Sequence, residues 1–199
     1  IAQMGASRAT TSIHVWSVTA VELPRDPDLK PTRYHELAVY DVDVLRGTLQ
    51  SCLVANIAFI REGQPMMLPT AFGFDDDFIY GHGSTGSLFG REISDGRDLV
   101  VTITSLDGII YARTGYDSAV QYRSAVIRGT AEVCQGEEKL KALEIITEHL
   151  MPGRWQELPA PTTRELAATL VFKIPLNRVS LKVIDGGVME SDCLLYTSD

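Results

Sequence analysis

The segment Gly81-His-Gly-Ser-Thr-Gly86, followed by Ser87, concentrates residue types that can hold an anion. Small glycines leave backbone N–H groups accessible, and Ser84, Thr85 and Ser87 add hydroxyl donors. The loop leads into a short helix expected from Leu88 to about Ile93, whose N-terminal partial positive charge favours a phosphate. Arg91 and Arg123 are the candidate guanidinium groups for a charge-assisted bond to that phosphate. His82 is the histidine beside the loop; its plain alternative role is a backbone hydrogen bond within a strand. The segment also satisfies G-x-G-x-x-G, with Asp107 about twenty residues on, as in a dinucleotide fingerprint. The surroundings contradict that fold. The strand before the loop is the third of a meander, the helix after it is short and carries Gly90, and the next strand ends at a hairpin signal. A phosphate cradle outside a dinucleotide fold fits better, with a ligand-free glycine turn as its plain rival.

Other residue groupings carry less chemistry. Glu148-His149 lacks the second histidine of a zinc-binding helix, and His149 reads as a cap on its helix C-terminus. Asp75-Asp-Asp77 reads as a solvated turn rather than a calcium loop. Cys52, Cys134 and Cys193 are odd in number and form no Cys-x-x-Cys pair, which points to a reducing, cytoplasmic setting without a metal centre. Cys52 and Cys134 read as small buried hydrophobes. No G-x-S-x-G elbow supports a nucleophilic serine. Trp155, after the Pro152-Gly153 helix stop, reads either as a docked loop aromatic or as a ligand contact.

The elements that must position the loop follow from periodicity. Asp41 caps a helix expected over residues 42–50, with Val42, Leu45 and Leu49 on one face. Strands are expected at 52–60, 66–74 and 78–82, separated by a turn centred on Gly63 and by the aspartate turn. Leu99-Val-Val-Thr-Ile-Thr-Ser105 is the clearest β-branched run. Asp107-Gly108 signals a hairpin, with 109–113 pairing back. A long strand from 122 to 133, a helix from 137 to 150, a short helix capped by Thr162 or Thr163, and closing strands at 169–176 and 179–183 complete the pattern. The sum is about six or seven mostly antiparallel strands with about two to four helices, closing as a barrel or packing face to face.

Length and composition agree with one globular domain: 199 residues, 45% hydrophobic and 22% charged, which separates the chain from disordered sequences. The net charge of −8 argues against nucleic acid and anionic membranes as partners. No apolar run reaches the ~18 residues of a membrane span. Residues 1–33 read as an N-terminal arm, 34–185 as the domain, and 186–199 as a tail without amphipathic logic. The chain begins at Ile1 rather than Met, and both ends read as untrustworthy guides to the fold.

Taken in order, several stretches resemble the FMN-binding split β-barrels of the pyridoxamine 5′-phosphate oxidase-like family. They are Gly63-Gln-Pro65 with Leu68-Pro-Thr70, Ile79-Tyr-Gly-His-Gly-Ser84 with Gly86-Ser87, Thr102 to Gly108, Tyr122-Arg-Ser-Ala-Val-Ile-Arg-Gly129, Pro152-Gly-Arg-Trp155 and Glu165-Leu-Ala-Ala-Thr169. The branch it is most similar to is that of flavin-nucleotide-binding and nitroimidazole-resistance proteins. The resemblance implies a mainly β fold with peripheral helices and a homodimer with two FMN sites at its subunit interface. It implies that Met67, Leu68, Pro69 and Thr70 line the flavin ring, that His82, Gly83, Ser84, Thr85 and Ser87 hold ribityl and phosphate groups, and that Tyr122, Arg123, Ser124 and Trp155 complete the pocket. A lysine or arginine common just after the phosphate-loop glycine is replaced here by Ser87-Leu88. The function implied is an FMN-dependent oxidoreductase acting on a small molecule, with NAD(P)H as a candidate partner. A non-catalytic module holding flavin, or haem through His82, is the alternative.

Overall fold

The structure is a computed structural model that describes residues 22–30 and 35–187. Expectations placed on Cys193, on most of the arm over 1–33 and on the tail beyond residue 187 lie outside the described residues.

Asp41 starts the first helix, α1 (Val42–Gln50), by accepting hydrogen bonds from the N–H groups of Asp43 and Val44 at 2.7 and 3.3 Å. Leu45 and Leu49 on its inner side are buried. Strands β2 (Val54–Arg61) and β3 (Gln64–Phe74) form a hairpin across Glu62 and Gly63, whose φ values of 51° and 75° meet the left-handed demand of a tight reversal. Then follow β4 (Phe78–Ser84), α2 (Leu88–Ser94), β5 (Asp98–Ile110), β6 (Ala119–Thr130), β7 (Glu132–Val133), α3 (Gly136–Leu150), α4 (Thr163–Ala168), β8 (Thr169–Pro175) and β9 (Val179–Ile184). The short strand β1 (Ala38–Val39) pairs with β9. Thr162 caps α4 in a reciprocal capping box with Glu165.

All pairings are antiparallel, in the order β1-β9-β6-β5-β2-β3-β4-β8-β7. Among the described residues the sheet curls into a half-barrel carrying four α-helices. It has nine strands rather than six or seven. Two of these, β1 and β7, are two-residue edge strands, too short to leave a periodic pattern. The Asp107-Gly108 hairpin expectation is also corrected. β5 runs through that dipeptide to Ile110, with a register shift between Leu106 and Gly108, and the chain reverses over 111–118. The Asp107 carboxylate is held by Arg123 and by the Ser105 hydroxyl, so this Asp-Gly sits in a bulge rather than a turn.

Strand alternation sorts the side chains into two faces. The inner face is the main core, built from Ala55, Ile57 and Phe59, Leu99, Val101 and Ile103, Ala125 and Ile127, and Leu170, Phe172 and Ile174. The outer face differs along the sheet. Over β4, β8 and the end of β3 it is covered by α3, with Tyr80, Cys134, Ala142, Ile146 and Val171 forming a second core. The approach is close: a Cβ on Gly73 would lie 2.7 Å from Ile146 Cα. Over β2, β5, β6 and the start of β3, no described element covers the outer face, and Val54, Ile60 and Met67 are exposed.

Part of the expected arm is docked. Leu23 is buried, its N–H donates to the Tyr40 carbonyl at 2.6 Å, and Asp26 pairs with Arg178.

Candidate functional site

The site begins where the β3–β4 ladder stops. These strands pair only at Phe72↔Gly81, Gly73↔Tyr80 and Phe74↔Ile79. Beyond that point β4 continues against β8, with His82 opposite Val171 and Ser84 opposite Thr169. The start of β3 continues against β2, with Ala58 opposite Met67 and Asn56 opposite Pro69. The two strands therefore diverge as a fork, with residues 67–70 along one prong and 82–84 along the other. The prong of β3 that faces the fork has no strand neighbour, so alternate N–H and C=O groups point into the gap.

Alternation also says which side chains meet there. Met67 and Pro69 share the outer face with Gly73, and His82 and Ser84 share it with Tyr80. Leu68 and Thr70 point to the inner side, in register with Ile57 and Ala55. The Thr70 hydroxyl donates to the Ala71 carbonyl at 3.3 Å. His82 is half-buried, and its Nδ1 is a buried atom without a hydrogen-bond partner. Burial lowers its pKa below the ordinary histidine value, which favours a neutral ring. Among the described residues Nδ1 does not make the backbone hydrogen bond expected as the alternative role of His82.

The glycine loop is largely engaged with itself. The Ser87 hydroxyl accepts from the Gly90 N–H at 2.9 Å as the α2 cap and donates to the Ser84 carbonyl at 2.8 Å. Ser84 Oγ accepts from the Gly86 N–H at 3.3 Å. The Thr85 N–H and hydroxyl donate to the end of α4, which anchors the loop to β8. Gly90 lets α2 pack onto β4, since a Cβ there would lie 2.5 Å from the Ser84 carbonyl oxygen. Gly83 meets nothing closer than Phe89. Arg91 folds back so that its guanidinium donates to the Gly86 carbonyl at 3.4 Å. It brings to the loop the cation that Ser87-Leu88 does not supply.

Arg123 does not join this group. It lies on the inner side beside α1 and donates through Nε and Nη2 to Asp107, at 2.9 and 2.8 Å. That pairing holds the Asp107 carboxyl below the usual carboxylate range. Tyr122 and Ser124 point outward on β6, across β2 and β5 from the fork, and Lys182 sits 5.5 Å above the Tyr122 ring. Trp155 packs on the far side of α3, its N–H donating to Glu148 at 2.8 Å, and lines a groove of ≈ 510 Å³ with Leu140, Leu158 and Pro161.

His149 does not act as a simple helix cap. Its Nε2 lies 2.8 Å from the Cys52 carbonyl, and its ring packs 4.9 Å from Phe72 and 5.2 Å from Phe74. Cys134 is buried, with its thiol pKa pushed up to about 11, whereas Cys52 is only half-buried. Among the described residues there is no cluster of histidine, cysteine and acidic side chains able to hold a metal, and no helix long and apolar enough to cross a membrane.

An antiparallel half-barrel with a helix-covered half, a bare half and a fork between them defines the class. Residues 41–183 match the pyridoxamine 5′-phosphate oxidase family, and the chain belongs to it. This bears out the resemblance read from the motifs. The chain is similar to the FAD and heme binding protein from Mycobacterium smegmatis, at 37% identity over 75% of this chain and 74% of that one, with a TM-score of 0.73. It is similar to the flavocytochrome Anf3 from Azotobacter vinelandii, at 29% identity over 89% of this chain and 83% of that one, with a TM-score of 0.79. A 5-nitroimidazole antibiotic resistance protein from Bacteroides thetaiotaomicron shares the fold, at 20% identity over 73% of this chain and 86% of that one, with a TM-score of 0.62. No curated protein sequence matches the chain.

Proposed function

We propose that the chain binds a flavin in the fork between β3 and β4 and works as a flavin-dependent oxidoreductase on a small molecule. The observation that carries this reading is the end of the β3–β4 ladder at Phe72 and Gly81, which sets residues 67–70 against 82–84. The residues fit the group. Met67 and Pro69 give an apolar wall, and the unpaired β3 edge offers main-chain donors and acceptors to ring nitrogens and oxygens. His82 presents a neutral ring with a nitrogen still unpartnered. Arg91 stands over the loop where a phosphate would sit. When bound, the flavin supplies hydride and electron transfer, and the chain supplies orientation, an apolar wall and exclusion of water.

FMN is the form we propose; FAD, named for the Mycobacterium smegmatis relative, is the competing form. We further propose that the chain works as a homodimer. Leu53, Val54, Met67, Leu106, Ile109 and Val120 are exposed, and a second copy is the occupant that would cover such an apolar surface. Trp155, which faces away from its own fork, would reach a flavin from the other copy.

One observation favours a second reading, haem held by His82. Its Nδ1 has no partner, and two relatives are described as a heme-binding protein and a flavocytochrome. Titration of flavin-free protein with FMN, FAD and haemin, followed by flavin fluorescence and absorbance, separates the readings. Saturation by flavin at one per subunit supports the first. A Soret band with no flavin binding replaces it with the second.

A further inference from the structure

A helix spans the open end of the fork. From the last paired position, β3 runs back from Phe72 to the reversal at Glu62 and Gly63, and β4 runs forward from Gly81 into the glycine loop and α2. α2 then returns to the hairpin. The Phe89 and Phe59 ring centroids are 6.1 Å apart, and Glu92 reaches Arg61, the last residue of β2. The two prongs and α2 together frame the gap.

Glu92 is the tie in this frame. It is 6% exposed, the one charged side chain among the described residues that is fully buried. Its Oε1 lies 3.1 Å from Arg61 Nε, and its Oε2 contacts Arg97 Nε. Arg97 Nη1 in turn donates to the Ile60 carbonyl at 3.4 Å, and Arg61 Nη2 meets Glu62 at 3.2 Å. The carboxylate therefore binds α2 to the end of β2 and to its turn. A carboxylate withdrawn from water between two guanidinium groups adds little net stability, because desolvation offsets the attraction. What it fixes is geometry, since a planar guanidinium accepts a carboxylate in few orientations. The helix has other means of staying docked: Phe89 packs on Phe59 and Phe172, and Gly90 sits against the Ser84 carbonyl. The tie sets the rotation of α2 about its own axis. Arg91, the residue before Glu92, is exposed and donates to the Gly86 carbonyl of the glycine loop.

We propose that Glu92 is a positioning residue for phosphate recognition: clamped by Arg61 and Arg97, it fixes α2 so that Arg91 stands over the glycine loop. The inference rests on the flavin reading above and adds a selectivity to it, for a phosphorylated flavin over riboflavin. Glu92 touches no ligand and acts through Arg91.

The test is fluorescence titration of the flavin-free full chain with FMN and with riboflavin, which lacks the phosphate. The ratio of the two affinities isolates the grip on phosphate from ring binding and from overall stability. Wild type, Glu92→Gln, Arg91→Ala and the double variant are compared, each checked for folding by circular dichroism. Arg61→Gln opens the same clamp from its other side and stands in if Glu92→Gln does not fold. The expected result is a wild-type preference for FMN of about tenfold, a ratio near one in Arg91→Ala, and a ratio lowered about fivefold in Glu92→Gln with riboflavin affinity within about threefold of wild type. In the Arg91→Ala background, Glu92→Gln changes the ratio no further. A wild-type ratio in folded Glu92→Gln, or in Arg61→Gln where it stands in, overturns the proposal. So does a fall that persists in full in the Arg91→Ala background. Equal binding of FMN and riboflavin by wild type also overturns it and leaves the flavin reading standing. Failure of wild type to bind either flavin removes the flavin reading, and the inference with it.

Discussion

The two halves of the sheet have the same inner face and opposite outer ones. Over β4 and β8 the outer side chains are packed under α3, and Gly73 lets the helix backbone reach the sheet. Over β2, β5 and β6 the outer side chains include exposed Val54, Ile60, Leu106 and Ile109, with no described element above them. The covered half is finished by its own chain. The bare half keeps apolar surface for something else. The fork lies on the seam, where β3 leaves one half for the other, so a ligand there can touch a rigid wall and an open face at once.

The largest expected effect comes from breaking the covered half. Gly73→Val pushes a side chain into the α3 backbone and is expected to cost ~3 kcal/mol, at the upper end of overpacking penalties, read by urea unfolding. A stability within error of wild type would mean that α3 does not depend on this close approach. On the bare half, the double change Leu106→Asp with Ile109→Asp is expected to leave unfolding of the monomer within about 0.5 kcal/mol, as for exposed positions. It is expected to convert dimer to monomer in sedimentation velocity; a dimer of unchanged strength would move the interface elsewhere.

At the seam, His82→Ala is expected to weaken flavin binding about tenfold, or ~1.4 kcal/mol, measured by fluorescence titration. His82 also sharpens the comparison through pH. Its folded pKa is lowered by burial, while the unfolded side chain titrates near its ordinary value of about 6.5. Its contribution to stability is therefore present above that value and lost as pH falls below it, because the unfolded chain takes a proton that the folded chain resists. His82→Gln should flatten the melting temperature against pH in this window. Parallel curves for the two proteins would assign the acid loss to other groups. The smallest effect is Thr162→Ala, which removes the α4 cap and should cost ~1 kcal/mol on the covered side, with flavin-free dimerisation unaffected.

Much of this was legible in the sequence. The α1 bounds follow from the Asp41 cap and the spacing of Val42, Leu45 and Leu49, and Glu62-Gly63 marks the β2–β3 reversal. The glycine loop and His82 stand out by composition. The position of Arg123 was not legible, because sequence distance does not say which face a strand residue occupies, and Asp107 holds it on the inner one. Asp107-Gly108 misled because a bulge and a turn favour the same residues. The two-residue strands β1 and β7 are too short for alternation to show. The fork needs the strand pairing, which takes β4 on to β8 and leaves the start of β3 with β2 alone.

Hydrogen–deuterium exchange of the protein with and without FMN tests the central claim most directly. The account predicts slowed exchange along 65–71 and 82–88, the two prongs of the fork and its loop, once FMN is saturating. Saturated binding that instead protects 140–161, the Trp155 groove on α3, and leaves both prongs unchanged would contradict it.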